Sequence, residues 1–190
     1  MIINQKLLSL GKMARGSTSN SNNPIYFTKP LEKIIIHWIG AYPNQKVNDP
    51  WDWWENGSDG KGIRASAHFI IKDETILQCI PLNEIAWHSG DDRNYNSIGI
   101  EVIPMNMDGE FSKTTIDTLR VLIQYIRDRT HLQLKLERHY DGIQKKDCPL
   151  FYTPLSNVIT KDSNNINLNG QDRWKYLGLF LNDWNRNLTN

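Results

Sequence analysis

Three donor residues and one carboxylate set the chemistry open to this 190-residue chain. His37 ends the run "KIIIHW", while His139 and Cys148 bracket "HYDGIQKKDC". Taken singly, each has an ordinary reading: the histidines as satisfied core residues or as ligands, and Cys148 as a small buried hydrophobe. Taken together, two imidazoles and a thiolate form a donor set suited to zinc, with a fourth tetrahedral position left for water. Such a metal makes its water more acidic and polarises a bound carbonyl, and a nearby carboxylate can take the proton. Glu101, inside the apolar "SIGIEV", is the candidate carboxylate; the alternative is a strand-edge glutamate facing solvent. Lys145 and Lys146 precede Cys148, either as a solvated pair or with one ammonium offered to a developing oxyanion.

These residues need elements to hold them. "KIIIHW" is β-branched and almost continuously apolar, the pattern of a strand buried on both faces. "SAHFIIK" and "TILQCI", separated by "DE", predict a hairpin, and "NSIGIEVIP" predicts a further strand stopped by Pro104. "KTTIDTLRVLIQYIRDRT" repeats apolar residues at helical spacing, giving an amphipathic helix of about four turns. Residues 41–62, with two prolines and three clustered tryptophans, read as a long loop carrying a short helical turn at the rim of a groove. "SNVITKDSNNINLNG" reads as loop. The tail places Trp174, Leu177, Leu181 and Trp184 near one helical face. Together these predict an α/β fold: a single domain over residues 25–190, with a central mixed β-sheet flanked by helices, after a flexible segment over residues 1–24.

Composition narrows the partners. Lys+Arg 22 against Asp+Glu 21 leaves a net charge of +1, so no broad basic field steers nucleic acid or anionic lipid. No stretch approaches about 18 consecutive apolar residues, so no membrane insertion is expected, and the N-terminus lacks the apolar core and cleavage site of a signal peptide. Two cysteines do not make a disulfide scaffold, and Cys79, in "LQCIP", reads as core. The seven tryptophans serve either the core or the apolar floor of a groove. A monomer is expected.

The blocks "IIIHWIG", "SAHFIIKDETILQCIPLNEIAWHSG", "NSIGIEVIP" and "RHYDGIQKKDCP" occur in an order that resembles the zinc-dependent N-acetylmuramoyl-L-alanine amidases, whose fold is shared by phage T7 lysozyme and the peptidoglycan recognition proteins. The resemblance covers residues 31 to 150. It implies His37, His139 and Cys148 as ligands of Zn2+, Glu101 as catalytic base and Lys146 as an aid to catalysis. The implied substrate is peptidoglycan, cut between N-acetylmuramic acid and L-alanine. The implied setting is a phage or prophage endolysin held in the host cytoplasm until holes in the membrane release it to the wall. A peptidoglycan-binding module without activity and an amidase cutting within the stem peptide are the alternatives. Three departures stand out. The His139–Cys148 interval is one residue longer than usual, leaving Lys145 or Lys146 to face the metal. Trp38 and Ile39 replace the family's histidine and threonine after the first ligand. Ala67 stands where some members carry a catalytic tyrosine. His68 and His88 are left as groove or supporting residues.

Overall fold

The computed structural model describes residues 2–16, 23–40, 43–60 and 62–182. In chain order the elements are β1 (Ile3–Gln5), β2 (Lys33–Trp38), α1 (Asn48–Asn56), β3 (Phe69–Lys72), β4 (Thr75–Gln78), β5 (Ser97–Val102), α2 (Lys113–Thr130), β6 (Lys135–Arg138), α3 (His139–Gly142), β7 (Thr160–Lys161), β8 (Asn167–Leu168) and α4 (Gly170–Asn182). Six strands form one mixed sheet in the order β1-β4-β3-β5-β2-β6, and β7 pairs with β8 in a separate two-stranded ribbon. Only the β3–β4 hairpin is antiparallel within the large sheet. Its turn places Asp73 at φ 48°, a left-handed conformation that an aspartate tolerates better than most residues.

Alternation along the strands divides the chemistry from the packing. Ile34 and Ile36 of β2, Phe69 and Ile71 of β3, and Ile98, Ile100 and Val102 of β5 point to one face, where Leu119, Leu122, Ile123 and Ile126 of α2 and Leu177 and Leu181 of α4 cover them. Ser112 caps α2, its hydroxyl accepting from the Thr115 N–H at 3.0 Å, and His131 ends the helix at φ 56°. Burial of this face is the main source of stability, at about 25 cal/mol per Å² of apolar surface. The opposite face carries His37, Gly99 and Glu101, with Ile70, Leu77 and Cys79 packed against Leu8, Ala14 and Trp54. Cys79 is core, as expected.

Two expectations need correction. Over residues 2–16 the segment expected to be flexible is folded: β1 pairs in parallel with β4, Leu8 is fully buried, and Arg15 bridges Glu84 at 2.8 Å. Its short strand "INQ" is too polar to show an apolar alternation. Within residues 41–62 the helix is nine residues long, not a single turn, because Pro50 and Trp54 supply one buried stripe. Trp54 is core while Trp53 is 51% exposed, so the tryptophan cluster divides between the two readings. Trp184 lies outside the described residues.

Candidate metal centre

The site forms where parallel strands end, the usual place for a ligand on a sheet of this kind. β2 and β5 run in register, so His37 and Glu101 are direct neighbours on the same face. On the other side of β2, β6 delivers its next residue, His139, as the first of α3. Asp141 fixes that corner, accepting from the Arg138 N–H at 2.7 Å and from its guanidinium at 2.6 Å. The following loop returns Cys148 to the same point: the Lys146 N–H donates to the Ile143 carbonyl at 2.9 Å, and the Tyr140 N–H donates to the Cys148 carbonyl at 2.9 Å. The Cys148–Pro149 peptide bond is cis.

His37, His139 and Cys148 therefore converge, their donor atoms all within 4.8 Å of one another. His37 Nδ1 lies 3.1 Å from His139 Nδ1 and 3.7 Å from Cys148 Sγ. A tetrahedral ion with Zn–N of about 2.0–2.1 Å and Zn–S of about 2.3 Å needs edges of roughly 3.3 and 3.6 Å, close to the two distances measured from His37. The His139 ring is oriented from behind: its Nε2 lies 2.7 Å from the Ser89 carbonyl, which only accepts, so Nε2 carries the proton and Nδ1 presents a bare lone pair.

Burial shapes the electrostatics of the cluster. It lowers the pKa of His37 well below its ordinary value, with smaller contributions from His88 and His139, and takes that of His139 to about 4, so both rings are neutral near pH 7. Neutral imidazole is the form that binds a metal. Burial pushes the Cys148 thiol up, helped by Glu101, so the sulfur ionises only against a strong cation. Glu101 is raised to about 8, again by burial, with the Lys146 ammonium pulling it back. Its Oε2 is buried and has no hydrogen-bond partner.

The five residues singled out from the sequence thus occupy one locality, although in different ways. The three metal donors point at one another. Glu101 adjoins them on β5 and also lines a depression with Trp38, Gln45, Asp49 and the exposed Trp53. Lys146 is exposed, yet its charge acts on His37, Glu101, His139 and Cys148, which separates it from Lys145. Ala67 is buried core and offers no polar group.

Sequence reasoning left His88 and His68 as groove or supporting residues and did not single out Arg93. His88 is 8% exposed, with Nδ1 3.0 Å from His37 Nε2. Arg93, held by Asp91 at 2.9 Å, donates to the carbonyls of Arg138 at 3.3 Å and His139 at 3.0 Å. The available signal was Asn94 and Asp91 close to "WHS", residues that favour tight turns; Asn94 Oδ1 accepts from the N–H groups of His88 and Ser89, both at 2.9 Å. His68 does not reach the cluster: its Nδ1 accepts from the Gly99 N–H at 3.0 Å and its Nε2 donates to the Glu84 carbonyl at 2.9 Å, tying β5 to the segment after β4.

Comparison with known proteins gives the same picture. The N-acetylmuramoyl-L-alanine amidase family model matches residues 27–150. The chain is 37% identical over 87 residues to the N-acetylmuramoyl-L-alanine amidase XlyA of Bacillus subtilis (strain 168), covering 44% of this chain and 29% of that protein. It is 25% identical over 176 residues to the amidase BlyA of the same organism, covering 78% of this chain and 46% of BlyA. This chain therefore spans less than half the length of either. Among solved structures, the catalytic domain of XlyA superimposes with a TM-score of 0.61 at 25% identity, covering 79% of this chain and 91% of that domain. A mutant endolysin from Bacillus subtilis matches in fold with a TM-score of 0.66 at 22% identity, over 95% of this chain and 98% of the endolysin.

Proposed function

The chain belongs to the N-acetylmuramoyl-L-alanine amidase family, and from that membership we propose that it hydrolyses the amide joining the lactyl group of N-acetylmuramic acid to the L-alanine of the peptidoglycan stem, with zinc held by His37, His139 and Cys148. The observation that carries the reading is the convergence of two imidazole nitrogens and one sulfur within 4.8 Å of one another, with both distances from His37 Nδ1 close to the edges of a zinc tetrahedron. Bound there, the ion supplies a Lewis acid for the scissile carbonyl and makes water acidic enough to react near neutral pH.

The protein's own groups supply the proton handling. Glu101 accepts the proton of the attacking water on its unpartnered Oε2 and returns it to the leaving alanine nitrogen. Burial favours the protonated form of this carboxyl, which suits it to holding the proton between the two steps. The Lys146 ammonium offers positive charge to the oxyanion as the carbonyl carbon becomes tetrahedral. Without a tyrosine at Ala67, Glu101 and Lys146 carry these roles. We place the protein in a phage or prophage lysis setting, made in the cytoplasm and acting at the cell wall after release, a reading prompted by the fold it shares with an endolysin. No helix among the described residues is long and apolar enough to cross a membrane.

The test is zinc content and clearing of purified cell walls for the parent and for Cys148→Ser. About one zinc per chain with lysis, and a large loss of both in the variant, is expected. A parent that lyses walls without zinc overturns the metal reading. Appearance of a new terminus other than L-alanine in the digest overturns the bond assignment.

A further inference from the structure

His37 can face the centre in two ways. With its proton on Nδ1 it would donate to His139 Nδ1, 3.1 Å away, and join the two ligands to each other. With its proton on Nε2, Nδ1 is bare and available to an ion. The choice is made behind the ring, by a row of groups whose hydrogen-bonding directions are determined one after another.

The row begins at the Arg93 backbone carbonyl, which only accepts. The Ser97 hydroxyl donates its single proton to that carbonyl in a short hydrogen bond. Towards His88 Nε2, at 3.4 Å, the Ser97 oxygen can therefore only accept. His88 thus carries its proton on Nε2 and leaves Nδ1 as an acceptor. His88 Nδ1 lies 3.0 Å from His37 Nε2, which must then donate. We propose that His88 is the positioning residue of the metal centre: it accepts the Nε2 proton of His37 and thereby keeps His37 Nδ1 bare and aimed at the ion. This rests on the zinc reading given above.

Two further observations show that the row is built into the fold. Gly99 lies mid-strand in β5, and a Cβ there would fall 2.4–2.7 Å from ring atoms of His88, so the imidazole rests against bare backbone. Arg93 serves both ligands: its carbonyl ends the row behind His37, while its guanidinium donates to the His139 carbonyl at 3.0 Å. That guanidinium occupies the space of a side chain at Gly142, where a Cβ would lie 2.0–2.4 Å from it.

The experiment measures zinc affinity by competition with a chromogenic chelator, together with the melting temperature of each metal-free form. His88→Asn retains an acceptor oxygen about where Nδ1 stands; His88→Leu retains only apolar bulk. Affinity is expected to fall about 10–100-fold in His88→Leu and to stay within about threefold of the parent in His88→Asn. Equal affinity in parent and His88→Leu, or equal losses in both variants, overturns the acceptor role. A parent that binds no zinc overturns the metal reading instead, which separates the two failures. Should His88→Leu fail to fold, nitrogen-15 NMR of the parent's ring nitrogens decides: protons on Nε2 of His37 and His88 are expected, and a proton on Nδ1 of His88 overturns the proposal.

Discussion

The two sides of the centre are built on opposite principles. Behind the histidines almost every polar group has a partner: His139 rests on the Ser89 carbonyl, His37 on His88, and Arg93 spans both arms. Across from them, Glu101 keeps a buried oxygen without a partner, and Lys146 stands exposed at the tip of its loop. A buried carboxylate oxygen left unpaired is costly to stability, and a tightly paired one would be a poor proton acceptor. On the roles proposed above, the difference teaches that holding an ion and moving a proton ask for contrary environments, and that adjacent parts of the sheet provide them, β2 with α3 for the one and β5 for the other.

The sharpest way to break the histidine side is His139→Ala, which removes a donor and leaves the Ser89 carbonyl without its partner. Zinc binding at stoichiometric protein concentration and wall clearing should both fall by roughly three orders of magnitude or more. Elemental analysis and turbidity follow the two losses. Breaking the other side should leave the ion in place. In Glu101→Gln we expect a loss of about 10²–10⁴-fold in kcat with about one zinc still bound, and an equal loss of zinc would merge the two sides into one. Lys146→Ala is expected to cost about 10–100-fold in kcat, while Lys145→Ala stays within about twofold, since it is the Lys146 charge that acts on the cluster.

The contrast also appears without metal, in the dependence of stability on pH. His68 and His139 have folded pKa values of about 4, lowered from 6.5 by burial, so they cost nothing above pH 6.5 and destabilise the fold increasingly as pH falls from about 6.5 to about 4. Glu101 behaves oppositely: raised from 4.5 to about 8 by burial, it costs nothing below pH 4.5 and destabilises increasingly as pH rises to about 8. Melting temperature of the metal-free protein should therefore fall on both sides of a mildly acidic optimum. Glu101→Gln should remove only the alkaline descent, raising stability at pH 8 by about 1–3 kcal/mol, or several degrees, with little change at pH 4.5. Calorimetry across that range checks the sign.

The donors were legible in the sequence because their chemistry is a matter of residue type: two histidines and a cysteine have few joint uses, and Glu101 stood out against an apolar strand. The sheet strands and α2 were legible for a related reason, since apolar periodicity reports which face is buried. Arg93 was not, and His88 was legible only as a groove or supporting residue. They lie in the irregular stretch between β4 and β5, where no period exists, and their role depends on which nitrogen carries a proton, a property of three-dimensional neighbours. α1 was concealed by its proline and tryptophans, and β1 by the polarity of its three residues.

β1 has one more consequence. By covering the outer edge of β4, it occupies a row of backbone donors and acceptors that would otherwise be available to a strand from another molecule. Leu8, three residues beyond its end, packs in the cluster that holds Trp54 against the sheet. A catalytic fragment trimmed to begin at residue 25, the boundary that composition alone recommends, would expose both the open strand and the vacated hollow. Self-association during expression, not lost chemistry, is the failure that such a fragment invites.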